Sequence, residues 1–329
     1  MSTPAKYGLE QMPDTVLEKI LGYSDWPAIQ SLRKTCHFFY SLNPPKIRDF
    51  RIQMPTFESI QITIGLEGHP PRVIHYNKNG NNCEIVWNSR RRRVSEGFLE
   101  VFFMDFEGVR FSMIKNFGVW FHPEDVRFPE SMEKILKLRP LKIENLTLEV
   151  HDNLQILSIL PYTSPTAISI SGQETYINLD TVVNLNSWKN AKEIEILWVT
   201  VGVPVEEFLH FSIVNVQKFG RLDAKEVVLV KEKFLTSPTP IHYNLGYNHF
   251  TDDNNLLDTV FGDPDTCEDD TGFMEKRWYF SIPNEEKVLE IEFCNEFVLF
   301  RRIEIEEVPE KRILFHEIPG FFNILITSS

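Results

Sequence analysis

Five β-rich segments recur at near-regular intervals through the middle of this 329-residue chain. Their central residues, Leu146, Ile168, Ile194, Val214 and Ile241, stand 22, 26, 20 and 27 residues apart. A helix-like segment precedes each one: ESMEKILKL (130–138), DNLQILSIL (152–160), LDTVVNLNSW (179–188), PVEEFLHF (204–211) and DAKEVVLVKEKFL (223–235). A unit this short cannot bury both its strand face and its helix stripe alone, so successive units must stack.

The period lies within the 20–29 residues of leucine-rich repeats, each of which supplies one strand and one helix. A strict LxxLxLxxN string is missing. The spacing predicts an α/β fold whose body is an irregular leucine-rich-repeat-like β-α solenoid.

The flanks read differently. Pro13 and Asp14 suit the first turn of a helix, and Val16, Leu17, Ile20 and Leu21 form one apolar stripe. Asp25 can cap a second helix carrying Ile29, Leu32 and Cys36, with Phe38 and Phe39 closing the run before Pro44-Pro45. A segment this small buries too little surface to stand alone. It must pack on the rest of the chain or on another protein.

FESIQITI (57–64) alternates as a half-buried strand, and Asn79-Gly80 inside 72–88 signals a hairpin. Residues 89–93, Ser and four Arg, read as a connection, and 95–112 as an amphipathic helix. After an acidic stretch with helix potential at Leu256, Leu257 and Val260, the runs 277–283, 287–295 and 297–308 predict a strand-rich end. The expected organisation is 1–50, 51–94, 95–250 and 251–329.

Charge and motifs limit the function. Thirty-four Lys and Arg against 47 Asp and Glu give a net charge of −13. Such a chain is repelled by nucleic-acid phosphates and anionic lipid, so neither a membrane nor direct nucleic acid is an expected partner. No apolar run reaches a membrane span, and the opening residues lack the apolar core of a secretory leader. Cys36, Cys83, Cys267 and Cys294 form no CxxC pair. Together these predict an intracellular, reduced protein, cytoplasmic or nuclear.

Phosphate-loop, GxGxxG, GxSxG and HExxH motifs are all missing. The nine histidines are scattered, and His242 and His249 lack metal-ligand spacing. The acidic run Asp263, Asp265, Glu268, Asp269, Asp270 lacks the ligand pattern of a calcium loop. Arg90 to Arg93 reads as a solvated charge run, and nothing near Cys83 or Cys267 in sequence would activate a thiol. The expectation is a non-catalytic protein with no cofactor and no metal site.

One string carries more. MPDTVLEKILGYSDWPAIQSLRKTCHFFYSL (12–42) resembles an F-box without a gap. Met12-Pro13-Asp14 stands at the Leu-Pro-Asp opening, Cys36 at the family's cysteine, and Phe39 where tryptophan is usual; Glu18, Ser24 and Thr35 depart from the pattern. DFEGVRF (105–111), 141–172, WKNAKEIEI, PVEEFLHFS and KEKFLTS then resemble the FTH domain, which follows the F-box in a nematode-expanded group; the likeness runs from about 57 to 250 and is clearest from 141.

The resemblance implies a small three-helix F-box that docks on a Skp-type adaptor, and through it on a cullin–RING ligase. The adaptor-binding residues would be Pro13, Val16, Leu17, Ile20, Leu21, Ile29, Leu32, Cys36 and Phe39. The repeat domain would hold a protein substrate for ubiquitin transfer. The alternative is a scaffold unconnected to ubiquitin that binds a regulatory or ribonucleoprotein partner through the same repeats.

Overall fold

The computed structural model describes residues 12, 13, 16, 47–109, 113–253, 255–268 and 274–309. It divides into two compact units: Met1–Leu146 with Tyr162–Ser164, and Thr147–Pro161 with Pro165–Ser329.

From residue 47 the first unit runs through five strands, β1 (Ile47–Thr56), β2 (Ser59–Leu66), β3 (Arg72–Asn79), β4 (Asn82–Trp87) and β5 (Arg90–Val94). Helix α1 (Phe98–Val109), strand β6 (Ile114–Trp120) and helix α2 (Arg127–Leu138) follow. The boundary between the units falls inside β7 (Ile143–Glu149). The sheet order is β5-β4-β3-β2-β1-β6. All these neighbours are antiparallel except β1 and β6, which run parallel.

Period-two alternation builds this sheet: Ile60, Ile62 and Ile64 all point inward and are buried. The α1 stripe of Phe98, Val101, Phe102, Phe106 and Val109 covers that face. Its rings meet those of the strands, Phe106 against Phe50 at 5.8 Å and against Phe117 at 6.3 Å between centroids. Burying each such ring contributes about 1.5–3 kcal/mol.

The second unit holds α3 (Asn153–Leu157), β8 (Ala167–Ile177), α4 (Asn186–Asn190), β9 (Glu193–Val201), β10 (Ile213–Phe219) and β11 (Leu222–Asp223). Next come α5 (Ala224–Thr236), β12 (His242–Tyr247), β13 (Phe250–Thr251), α6 (Leu256–Phe261) and β14 (Asp265–Glu268). It closes with β15 (Met274–Ser281), β16 (Lys287–Phe293) and β17 (Phe297–Glu304). The main order is β8-β9-β10-β12-β17-β16-β15-β14. Strands β8, β9, β10 and β12 are parallel, and the remaining neighbours are antiparallel.

Two devices fix α5. Asp223 and Glu226 form a reciprocal capping box at its start. At its end the Arg302 guanidinium donates to the carbonyls of Phe234 (2.9 Å), Ser237 (2.6 Å) and Pro240 (2.8 Å), and it pairs with Glu285. Those carbonyls include ones a helix end leaves without an intrahelical donor.

The expected fold, a three-helix F-box followed by a leucine-rich-repeat-like β-α solenoid, is corrected. Among the described residues seventeen strands stand against six α-helices, and both units carry mixed sheets. The predicted strand positions hold, but the connections shrink. Residues 152–160 give the five-residue α3, 179–188 give helix only at the start of α4, and 204–211 give one 3-10 turn, Val205–Phe208. Their apolar residues, among them Leu179, Val182, Phe208 and Phe211, are buried without needing long helices. Pieces this short lack the length that sustains helix on its own. Spacing could not separate the two architectures, because any parallel pair needs a crossover of about a dozen residues.

A second correction concerns the arginine run. Residues 90–93 are not a connection but most of edge strand β5, paired to β4 from Trp87↔Arg90 to Glu84↔Arg93. Asn88 and Ser89, at φ 44° and 62°, form the tight turn before it. The charges blunt an otherwise open sheet edge. Of the segment 1–50 expected to be helical, only positions 12, 13, 16 and 47–50 are described, and 47–50 are the start of strand β1, so the expected boundary at 50 falls inside a strand.

Candidate functional site

Parallel strands usually have both faces covered. In the second unit Ile168, Ile170, Ile194, Ile196, Val214, Val216, Tyr243 and Leu245 alternate onto one buried face. Trp188 packs there against Phe208 (5.6 Å) and Phe211 (5.3 Å), and the Tyr243 hydroxyl donates to the Phe211 carbonyl at 2.7 Å. The residues between them point the other way, and they are polar.

Ser169, Glu195, Asn215 and Asn244 stand in register across β8, β9, β10 and β12. The Ser169 hydroxyl donates to one oxygen of Glu195 at 2.9 Å, and Asn215 donates to the other at 3.3 Å. Asn244 donates to Asn215 at 3.3 Å. The Oδ1 of Asn244 is enclosed and accepts no hydrogen bond among the described residues.

The far end of this face is uneven. Between the row of Ile170, Ile196, Val216 and Leu245 and the row of Ile177, Val201, Phe219 and Tyr247, the strands hold different lengths of chain. Strand β8 places 171–176 there, β9 places 197–200, β10 places 217–218, and β12 only Gly246. The surplus becomes bulges, which re-aim side chains. Trp198, at φ 60°, is 55% exposed, and Tyr176 is 66% exposed. Glu174 of the adjacent bulge is also left-handed, at φ 51°. Gln217 accepts the Trp198 amide at 2.7 Å. Gly246 is required, since a Cβ there would lie 1.9 Å from the Gln217 carbonyl oxygen.

Toward β15 the face becomes ionic. Arg301 pairs with the buried Glu290. Arg277 reaches Glu275 at 3.1 Å and Glu292 at 3.2 Å. Glu275, Glu292 and Cys294 bring three potential metal ligands within 4.8 Å of one another. The guanidinium already neutralises both carboxylates, and burial, with the two glutamates, pushes the Cys294 thiol up to about 12. This is the environment of a structural ion cluster. Cys83 is likewise inert: burial, with Asp105, raises its thiol to about 11.

The adaptor-binding residues expected from sequence are mostly beyond reach. Pro13 and Val16 are exposed, and the Val16 amide donates to the Pro13 carbonyl at 2.8 Å. Leu17, Ile20, Leu21, Ile29, Leu32, Cys36 and Phe39 lie outside the described residues. Asp265 and Glu268 of the acidic run are strand residues of β14, and Asp269 and Asp270 lie outside the described residues. Sequence reasoning missed Glu174, Tyr176 and Trp198. The signal was the triplet Leu197-Trp198-Val199, which breaks the alternation of AKEIEILWV.

No helix among the described residues is long and apolar enough to cross a membrane. None of the curated proteins and none of the solved structures matches the chain. Residues 126–265, from the residue before α2 to the first residue of β14, match the FTH domain and contain the whole bulged face of β8 to β12.

Proposed function

We propose that this chain is a substrate-recognition subunit of an SCF-type ubiquitin ligase. Residues 12–42 dock on a Skp-type adaptor, and the open face of β8 to β12 receives a protein substrate. The chain is intracellular and performs no chemistry itself. It holds the substrate near an activated ubiquitin, turning a bimolecular encounter into an effectively intramolecular one. The observation that carries the reading is the FTH match at 126–265 downstream of an ungapped F-box-like string. A polar, incompletely satisfied sheet face in the matched span supports the second half.

Co-purification with a Skp-type adaptor tests it. The full chain is expected to retain adaptor. The Leu17→Asp/Ile20→Asp double variant, checked for fold by circular dichroism, is expected to lose it, since each buried aliphatic side chain contributes about 1.5–3 kcal/mol. A folded wild-type chain that retains no adaptor refutes the reading.

A further inference from the structure

We propose that the corner formed by Glu174, Tyr176 and Trp198 binds a basic, extended segment of a protein partner, with a Lys or Arg side chain lying against the two rings. This rests on the substrate-receptor reading and names the chemistry of the substrate.

Three independent features converge there. Backbone strain is the first. Tryptophan at φ 60° is a conformation bulky residues rarely adopt, and Glu174 at φ 51° shares it on the neighbouring strand. Strain of this kind persists where surrounding structure enforces it, and it clusters at ligand-binding positions. The Gln217 carboxamide does the enforcing on the Trp198 side.

Exposure is the second. Both rings stand more than half in solvent on adjacent strands, Tyr176 in register with Thr200 two residues beyond Trp198. The tip of Tyr176 leans over Gly202, where a Cβ would sit 2.0 Å from its hydroxyl.

Charge is the third. Glu174 lies in the corner itself and Glu195 three residues before Trp198 on β9, where its oxygens accept only from the neutral Ser169 and Asn215, and neither glutamate has an ion-pair partner among the described residues. Elsewhere on the same sheet the carboxylates of Glu290 and Glu292 are matched by arginines. The unmatched Glu174 carboxylate beside exposed aromatic faces selects a cation, which the ring quadrupole attracts. The net charge of −13 draws a basic partner from a distance.

The probe is a fluorescein-labelled decapeptide of alternating Lys and Ser, titrated by anisotropy into the full chain, with a Glu-for-Lys peptide as control. Saturable binding of the Lys peptide alone is expected, weaker at high salt. Trp198→Gly and Tyr176→Ala should each weaken it about two- to fivefold, and Glu195→Gln by less. Glycine suits the left-handed site, so Trp198→Gly should bind poorly while keeping its melting temperature. Absence of saturable binding overturns the proposal, as does equal affinity for wild type and Trp198→Gly. A wild-type dimer in sedimentation that Trp198→Gly makes monomeric would assign the corner to a second copy and also overturn it. Adaptor binding is scored separately: adaptor retained with no peptide bound sinks this inference and leaves the receptor reading standing, and the reverse result sinks only the latter.

Discussion

Each unit carries a row of polar side chains running across its strands. In the first, Asn145 donates to Asn116 at 2.7 Å and Asn116 donates to Asp49 at 2.8 Å. In the second, Ser169, Asn215 and Asn244 are arranged about Glu195 in the same way. The rows differ in how the charge is finished. Arg48 lies 2.7 Å from Asp49. Burial alone would raise the Asp49 carboxyl, but hydrogen bonds from Asn116 and Arg48, with the charges of Arg48 and Arg51, hold it below its usual range. Glu195 has only neutral donors, and its row ends on an unaccompanied Asn244 oxygen. A row closed by its own cation is structure. A row left without one, beside strained and exposed rings, is available to a ligand.

Mutations should separate the two rows. Asp49→Ala removes a carboxylate whose side chain is 17% exposed, leaves the part-buried Asn116 donor unpaired and takes away the partner of Arg48. We expect about 2–3 kcal/mol of lost stability by urea denaturation. Glu195→Gln keeps an acceptor for one of its donors and should cost about 1 kcal/mol. Equal losses would erase the distinction.

The two glycines of the bulged end sharpen it further. Gly246→Ala drives a Cβ into the Gln217 backbone, and we expect a loss of about 2–3 kcal/mol. Gly202→Ala meets only the tip of the exposed Tyr176 side chain, so it should cost under about 1 kcal/mol while displacing that ring.

Acid should distinguish the units as well. The Asp49 carboxyl is depressed in the folded chain, so its contribution is present above the ordinary carboxylate value of about 3.9 and is lost as pH falls through the folded value. His242 shifts in the same sense but in a higher pH window. Burial, then the charge of Arg301, holds its imidazole below the usual value, so the unfolded chain takes the proton first. Stability of the second unit should therefore decline as pH drops below about 6.5, and His242→Gln should flatten that slope. The smallest effect belongs to the arginine edge. Arg91→Ala on the exposed strand β5 should change stability by no more than about 0.5 kcal/mol in denaturant titration.

Strand positions were legible in the sequence wherever alternation was clean, as in Ile60-Ile62-Ile64 and Ile168-Ile170. So were the α1 stripe, and the 72–88 hairpin with Gly80 at φ 62°. The sheet's composition was not legible. A 20–27-residue period fits any run of parallel crossovers, and nothing local announces that β12 pairs antiparallel with β17, 50 and more residues later in the chain. Four arginines carry no strand signal of their own; β5 exists because β4 offers a free edge and Asn88-Ser89 can turn. The candidate site was hidden for a related reason. A bulge is defined by its neighbour's length, so Trp198 becomes unusual only when β8 and β10 lie beside it.

The central claim is a division of labour, adaptor at residues 12–42 and substrate at the open face of β8 to β12. The most direct test measures both bindings on both variants of the full chain. Adaptor titration and Lys-peptide titration are run on wild type, Leu17→Asp/Ile20→Asp and Trp198→Gly. The account predicts a crossed pattern: the first variant loses adaptor and keeps peptide, and the second loses peptide and keeps adaptor. If either variant loses both while still folded, or neither loses anything, the division is contradicted.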